Sequence, residues 1–219
     1  MPRILETTVY QFDELSDRAK EKARDWYRQF IFSDSHDWEF VYEDTAVIAG
    51  MLGIDLRQRA VKTMGGKTRY EPAIYFSGFS SQGDGACFEG TWRASDVKPG
   101  KAKEHAPQDA DLHAIAADIE ALAVKFPDGF ARIEHRGRYS HEFCTEFDVA
   151  VGEERDNDNP ITDAEFAEFE DGIKEACRDF MRWIYRQLEL EHDWQMSDEC
   201  VDDNIRANEY EFESNGAPV

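Results

Sequence analysis

The sequence predicts an α+β fold: an antiparallel sheet of about five to six strands packed with four to five helices, ending in a long acidic C-terminal helix. Three observations carry this. Apolar residues keep helical spacing over residues 17–52, alternate over 54–93, and return to helical spacing over 109–126 and 162–191. The segment Ser80–Gly85 (SSQGDG) joins two alternating runs, and its glycines flank an aspartate, which is turn chemistry. The stripe Phe166, Phe169, Ile173, Cys177, Phe180, Ile184, Leu188 advances by three or four residues throughout, a sustained apolar seam. One domain over 1–219 is expected, with an acidic helical lobe at 160–219 as the alternative division.

Each element follows from local pattern. Glu6–Phe12 alternates as a first strand. Ser16 caps a helix over Asp17–Phe30, with Ala19, Ala23, Trp26, Tyr27 and Phe30 on one face. Ser33–His36 breaks it, and a second helix, Asp37–Leu52, ends at Gly53 as a left-handed cap. Ile54–Lys62 alternates, and Lys62–Arg69 is a loop. Ala73–Phe79 and Ala86–Arg93 form a hairpin, Ala94–Gln108 is a polar surface connection, and Asp109–Phe126 is an amphipathic helix. Phe130–His135 and His141–Val151 form a second hairpin, followed by the charged loop Glu153–Asn159. Thr162 and Glu165 make a capping box for the long helix, Ser197 caps a helix over Asp198–Asn208, Glu209–Glu213 is an edge strand, and Ser214–Val219 frays.

The charge balance restricts partners. There are 47 Asp+Glu against 25 Lys+Arg, a formal −22. A nucleic-acid backbone or an anionic membrane surface requires a basic face, so direct binding to either is not expected. No apolar run approaches the ~20 residues of a membrane span, and Met1–Thr8 lacks a signal-peptide core, so a cytoplasmic protein is expected. Cys87, Cys144, Cys177 and Cys200 form no CxxC pair and read as free, mostly buried thiols.

The distribution of charge is more telling. Residues 153–219 hold 21 Asp+Glu and 6 Lys+Arg, a net −15, leaving −7 for residues 1–152. Glu165, Glu168, Asp171, Glu175 and Asp179 fall on one helical flank beside the seam, and Asp198, Glu199, Asp202 and Asp203 repeat the pattern on the next helix. Such a row can imitate the phosphates of a duplex and steer toward a basic channel. It is equally the pattern of a solvated face that keeps a protein soluble.

Two further motifs carry polar residues. In SSQGDGACFEG, Gln82, Asp84 and Glu89 are candidate ligands of a cation or polar substrate held by a glycine-rich turn, with Gln82 and Asp84 as a small polar tip; the same glycines suit a plain tight hairpin. In RIEHRGRYSHEF, an odd loop Arg136–Ser140 puts His135 and His141 on one face, whereas a two-residue turn at Gly137–Arg138 puts them on opposite faces. With Asp84 or Glu89 from the other hairpin they make a metal-dependent hydrolase conceivable. Cys144, three positions from His141 on a strand, would face away from it. The aromatics Trp26, Tyr27, Phe30, Phe32, Trp38, Phe40 and Tyr42 are expected to pack between the first helices.

Ile74–Gly90 (IYFSGFSSQGDGACFEG), Tyr139–Phe143 (YSHEF) and Ser197–Phe212 (SDECVDDNIRANEYEF), with TVYQFDELSDRAKEKARDWY near the start, resemble a widespread family of small acidic proteins from bacteriophages and prophages. The resemblance runs through most of the chain. It implies context, not residue roles: such proteins are sometimes labelled antitoxin-like, and anti-CRISPR and other anti-defence proteins fit the description. The combined expectation is a stoichiometric anti-defence protein, without cofactor or metal, that blocks a host or rival nucleic-acid-binding protein, a CRISPR effector among the candidates. Its partner-binding residues would be the nine helical carboxylates with Gln82 and Asp84. An antitoxin for a basic toxin uses the same physics, and the hydrolase is the alternative from another class.

Overall fold

The computed structural model describes residues 7–33, 38–63, 65–152 and 161–219. In chain order these form β1 (Tyr10–Gln11), α1 (Asp17–Ser33), α2 (Glu39–Met51), β2 (Leu52–Leu56), β3 (Gln58–Lys62), β4 (Thr68–Pro72), β5 (Ile74–Phe76), β6 (Ala86–Phe88), β7 (Gly90–Val97), α3 (Lys101–His105), α4 (Ala110–Lys125), β8 (Gly129–His135), β9 (Thr145–Val151), α5 (Asp163–Gln195), α6 (Asp198–Ala207) and β10 (Glu211–Phe212). Short 3-10 turns occupy Phe12–Glu14 and Glu142–Cys144. The class is α+β with antiparallel sheets and a long C-terminal helix, as the periodicities predict. Beyond Ser33, which ends α1, the expected break at Ser33–His36 lies outside the described residues, as do Glu153–Asn159 and the side chains of Phe30 and Phe32.

The chain divides into two compact units, residues 1–38 with 189–219, and residues 39–188. In the smaller unit, the two terminal strands pair with each other, Tyr10 opposite Phe212. The α1 face of Ala19, Ala23 and Tyr27 packs with Phe12 and Leu15 against Val201, Ile205 and Phe212. The Phe12 and Phe212 rings meet edge-on at 6.4 Å. The C-terminal tail is fastened and does not fray. Phe212 bridges Pro218, the Val219 N–H donates to the Glu211 carbonyl at 3.1 Å, and Gly216 is buried against the Ala19 carbonyl.

In the larger unit, β2-β7-β8-β9 form an antiparallel four-stranded sheet, flanked by the two-stranded pairs β3-β4 and β5-β6. Alternation buries Ile54, Leu56, Trp92, Ala94, Ala131 and Ile133 on one face. Against these elements pack Leu112, Ile115 and Ile119 of α4 and the α5 seam from Phe169 to Leu188. Phe169 lies 6.0 Å from Trp92 and 4.9 Å from Phe126, and Phe180 meets Phe88 edge-on at 5.9 Å. Each fully buried side chain of this size contributes roughly 1.5–3 kcal/mol. Buried Trp92 donates its indole N–H to the Leu52 carbonyl at 3.0 Å. Asp109 caps α4 by accepting from the Leu112 N–H with one oxygen, and its other oxygen accepts the Trp183 indole N–H, both at 2.8 Å.

Several boundaries differ from expectation. Gly53 is left-handed (φ +78) two residues past the end of α2, as the cap reading expects, but the chain there has already entered β2, where Gly53 also marks a register shift. The expected strand Ala86–Arg93 divides at Glu89: β6 pairs with β5, and β7 crosses to pair with β2 and β8. The expected surface connection Ala94–Gln108 contains the end of β7 and all of α3. Phe40 is 80% exposed and not part of a helix interface.

Candidate functional site

The two motif-bearing loops of the larger unit fold onto each other. In the β5–β6 turn, one Asp84 carboxylate oxygen accepts from the backbone N–H groups of Ser80 and Ser81 at 2.8 and 2.6 Å. Gly83 (φ +95) lies so close to Tyr139 that a Cβ would stand 2.9 Å from the ring. At Gly85 a Cβ would stand 2.6 Å from the His141 Cβ. The glycines are therefore required by the neighbouring loop as well as by the turn. Gln82 is exposed at the tip.

The face of the β5–β6 pair behind this turn is polar and aromatic. Tyr75 stacks on the His135 ring at 4.5 Å. Burial raises the pKa of Tyr75 above its ordinary value, and Glu89, to which its hydroxyl bonds, adds to the shift. Glu89 also accepts from the His135 N–H and from Arg57, both at 3.3 Å. His135 Nε2 donates to the Tyr139 carbonyl at 2.8 Å.

The β8–β9 connection corrects two expectations. His135 pairs with Thr145, so the loop spans residues 136–144 and is neither the five-residue nor the two-residue form. Residues 142–144 form a 3-10 turn, not the start of a strand. In a 3-10 turn, positions i and i+3 eclipse. His141 and Cys144 are thus neighbours, with Nε2 and Sγ 3.5 Å apart, whereas a strand would have set them on opposite faces. His141 Nδ1 accepts from the Phe143 N–H at 3.1 Å. Neutral His141 therefore carries its proton on Nε2, directed at the Cys144 sulfur.

Asp84, His135 and His141 each turn polar atoms to their own loop segments. No group of three or more His, Cys, Asp and Glu able to hold a metal ion occurs among the described residues.

The helical carboxylates are more engaged than their spacing suggests. Glu165 closes the capping box with Thr162 at 3.0 Å. Glu168 meets Lys125 of α4 at 2.5 Å. Glu175 and Asp179 both hold Arg182, at 3.0 and 2.5 Å, and Arg182 reaches on to Glu142 at 3.2 Å. In the smaller unit, Asp202 takes a two-point bond from Arg24 at 2.6 and 2.8 Å. There Asp198 meets Arg24 and Arg28, and Asp203 meets Arg206 at 3.2 Å. Asp171 and Glu199 are exposed with no ion pair among the described residues.

Three of the α5 carboxylates still converge. Glu168, Glu175 and Asp179 line a groove of about 350 Å³ together with Asp118 of α4, and among the described residues Lys125 is the one cation in its lining. The floor is apolar: Ala121, Leu122, Gly172 and Ala176. Gly172 permits the close helix approach, since a Cβ there would stand 2.9 Å from Leu122. The role of α4 in this groove has no signal in the α5 periodicity.

The fold is thus an α+β sheet domain with an acidic interhelical groove and a packed pair of motif loops. The chain belongs to the family described as a domain of unknown function (DUF8835), whose model matches residues 38–198. No curated protein and no solved structure matches the chain. No helix among the described residues is long and apolar enough to cross a membrane.

Proposed function

We propose that the protein is a stoichiometric binding protein of anti-defence type, which presents the acidic α4–α5 groove to a basic, nucleic-acid-handling partner protein and blocks access of nucleic acid. The observation that supports this most is the convergence of Asp118, Glu168, Glu175 and Asp179 on one groove with an apolar floor. Carboxylates on two packed helices keep fixed spacing. An arginine or lysine of the partner would lay its alkyl stem on Ala121, Leu122 and Ala176 and its charge among the carboxylates. The wider −22 of the chain adds long-range attraction to the same class of partner. The sequence resemblance to phage proteins suggests a bacterial defence protein, such as a CRISPR effector, as that partner.

Affinity capture from a bacterial lysate, identification of the captured protein and competition with nucleic acid test this. The expected result is a basic partner whose nucleic acid competes with the protein for binding and whose complex dissociates as salt rises. A partner indifferent to both nucleic acid and salt contradicts it. A captured toxin that does not handle nucleic acid would move the assignment to an antitoxin.

A further inference from the structure

The geometry points to Cys87 and Cys144 as a reversible disulfide pair that joins the two motif loops under oxidising conditions. Strand alternation places Gly85 and Cys87 on the same side of β6, opposite Ala86 and Phe88. Phe88 faces α5, where its ring meets Phe180. Gly85 faces the other way, directly against His141. From His141 the 3-10 turn carries the chain to Cys144, so the two segments advance together.

The neighbouring ladder agrees. Tyr75, the cross-strand partner of Cys87, stacks on His135. The Cys144 carbonyl accepts from the Arg136 N–H at 2.7 Å, next to the His135–Thr145 pair. Cys87 and Cys144 thus share the space between the hairpins. A charge on Cys144 is near enough to add to the upward shift that burial gives the Cys87 thiol.

The two thiols have different roles. Cys144 is half-buried and Cys87 is buried. Cys144 is the more accessible of the two thiols and the Nε2–H of His141 is directed at its sulfur, so Cys144 is the first site of oxidation. With hydrogen peroxide as oxidant, the Cys144 sulfur bonds one peroxide oxygen, the O–O bond breaks and water leaves, giving a sulfenic acid. The Cys87 sulfur then bonds the Cys144 sulfur, the S–O bond breaks, and the departing hydroxide takes the Cys87 proton and leaves as water. Both thiols are oxidised, and one peroxide is reduced to two waters. The bond would fasten β6 to the turn that carries Phe143 and Glu142, and so would hold the loop surface in one arrangement.

Peptide mapping by mass spectrometry without reductant, on the full chain treated with graded hydrogen peroxide, tests the pairing. The expected product is one linked peptide pair containing Cys87 and Cys144, lighter by two hydrogens and restored by dithiothreitol, with Cys177 and Cys200 remaining free. His141→Asn should slow its formation several-fold while Cys200 reacts at an unchanged rate. Cys87 left as a free thiol while Cys144 advances to sulfinic acid overturns the proposal, as does a link to Cys200 or to a second chain. Because the wild-type chain supplies this readout, misfolding of a cysteine variant cannot obscure it.

Discussion

A Cβ added at Gly85 would fall 2.6 Å from the Cβ of His141, a separation that real Cβ atoms essentially never show. Two hairpins far apart in sequence are in close contact there, with the His141 Cα and the Ser140 carbonyl also within 3.2 Å of that position.

Gly85→Ala should therefore destabilise the protein by about 1–3 kcal/mol, the usual range for overpacking. Gly50 in α2 has nothing within 4 Å of a built Cβ. Gly50→Ala should stabilise by about 0.4–1 kcal/mol through lower backbone entropy of the unfolded chain. Denaturant midpoints of the two variants should move in opposite directions, and a harmless Gly85→Ala would disprove the close packing of the loops.

The α5 seam makes a larger prediction. Phe180 is fully buried, stacked at 5.5 Å on Trp183 and edge-on to Phe88. Phe180→Ala should cost about 3–5 kcal/mol in chemical denaturation. A loss below about 1 kcal/mol would mean that the seam is not core.

The buried thiols set a pH dependence. Burial first, then Cys144 and Glu89, push Cys87 from 9.0 up to about 12, and burial does the same for Cys177. Between those values the unfolded chain has lost protons that the folded chain retains, so stability falls as pH rises through this window and is unaffected by these groups below it. Denaturant midpoints should drop from about pH 9 toward about pH 11, less steeply for Cys177→Ala. At about pH 8 a thiol reagent should modify the half-buried Cys144, more slowly Cys200, whose thiol is pushed up by burial and by Glu191, and Cys87 and Cys177 only on unfolding.

Legibility of the fold followed the strength of local signals. The α5 seam, the capping box Thr162–Glu165 and the caps Asp109 and Ser197 could be read because one element supplies the whole pattern. β4 was hidden because TRYEP is polar, mostly exposed and ends in proline. The two halves of the Ala86–Arg93 run look continuous in sequence, and only tertiary pairing divides them at Glu89. At the loop site, a period-two assumption separated His141 from Cys144, and one 3-10 turn reversed that outcome. Helical spacing revealed the carboxylate row, yet not its neutralisation by Lys125 of another helix, nor the Arg24–Asp202 pair between distant segments.

The most direct test of the acidic-groove account is the association rate of the captured partner with a combined Asp118→Asn, Glu168→Gln, Asp171→Asn variant, measured across salt concentrations. Glu175 and Asp179 are left unchanged because they hold Arg182, which ties them to Glu142, whereas Glu168 holds the exposed Lys125, and Asp171, outside the groove lining, adds one exposed charge of α5. The chosen carboxylates lie outside the apolar seam, so the variant should fold normally. Steering sums over exposed charges and is screened over about 8 Å at physiological salt. The account predicts markedly slower association at low salt, a shallower salt dependence, and convergence with wild type at high salt. An unchanged rate and an unchanged salt slope would contradict it.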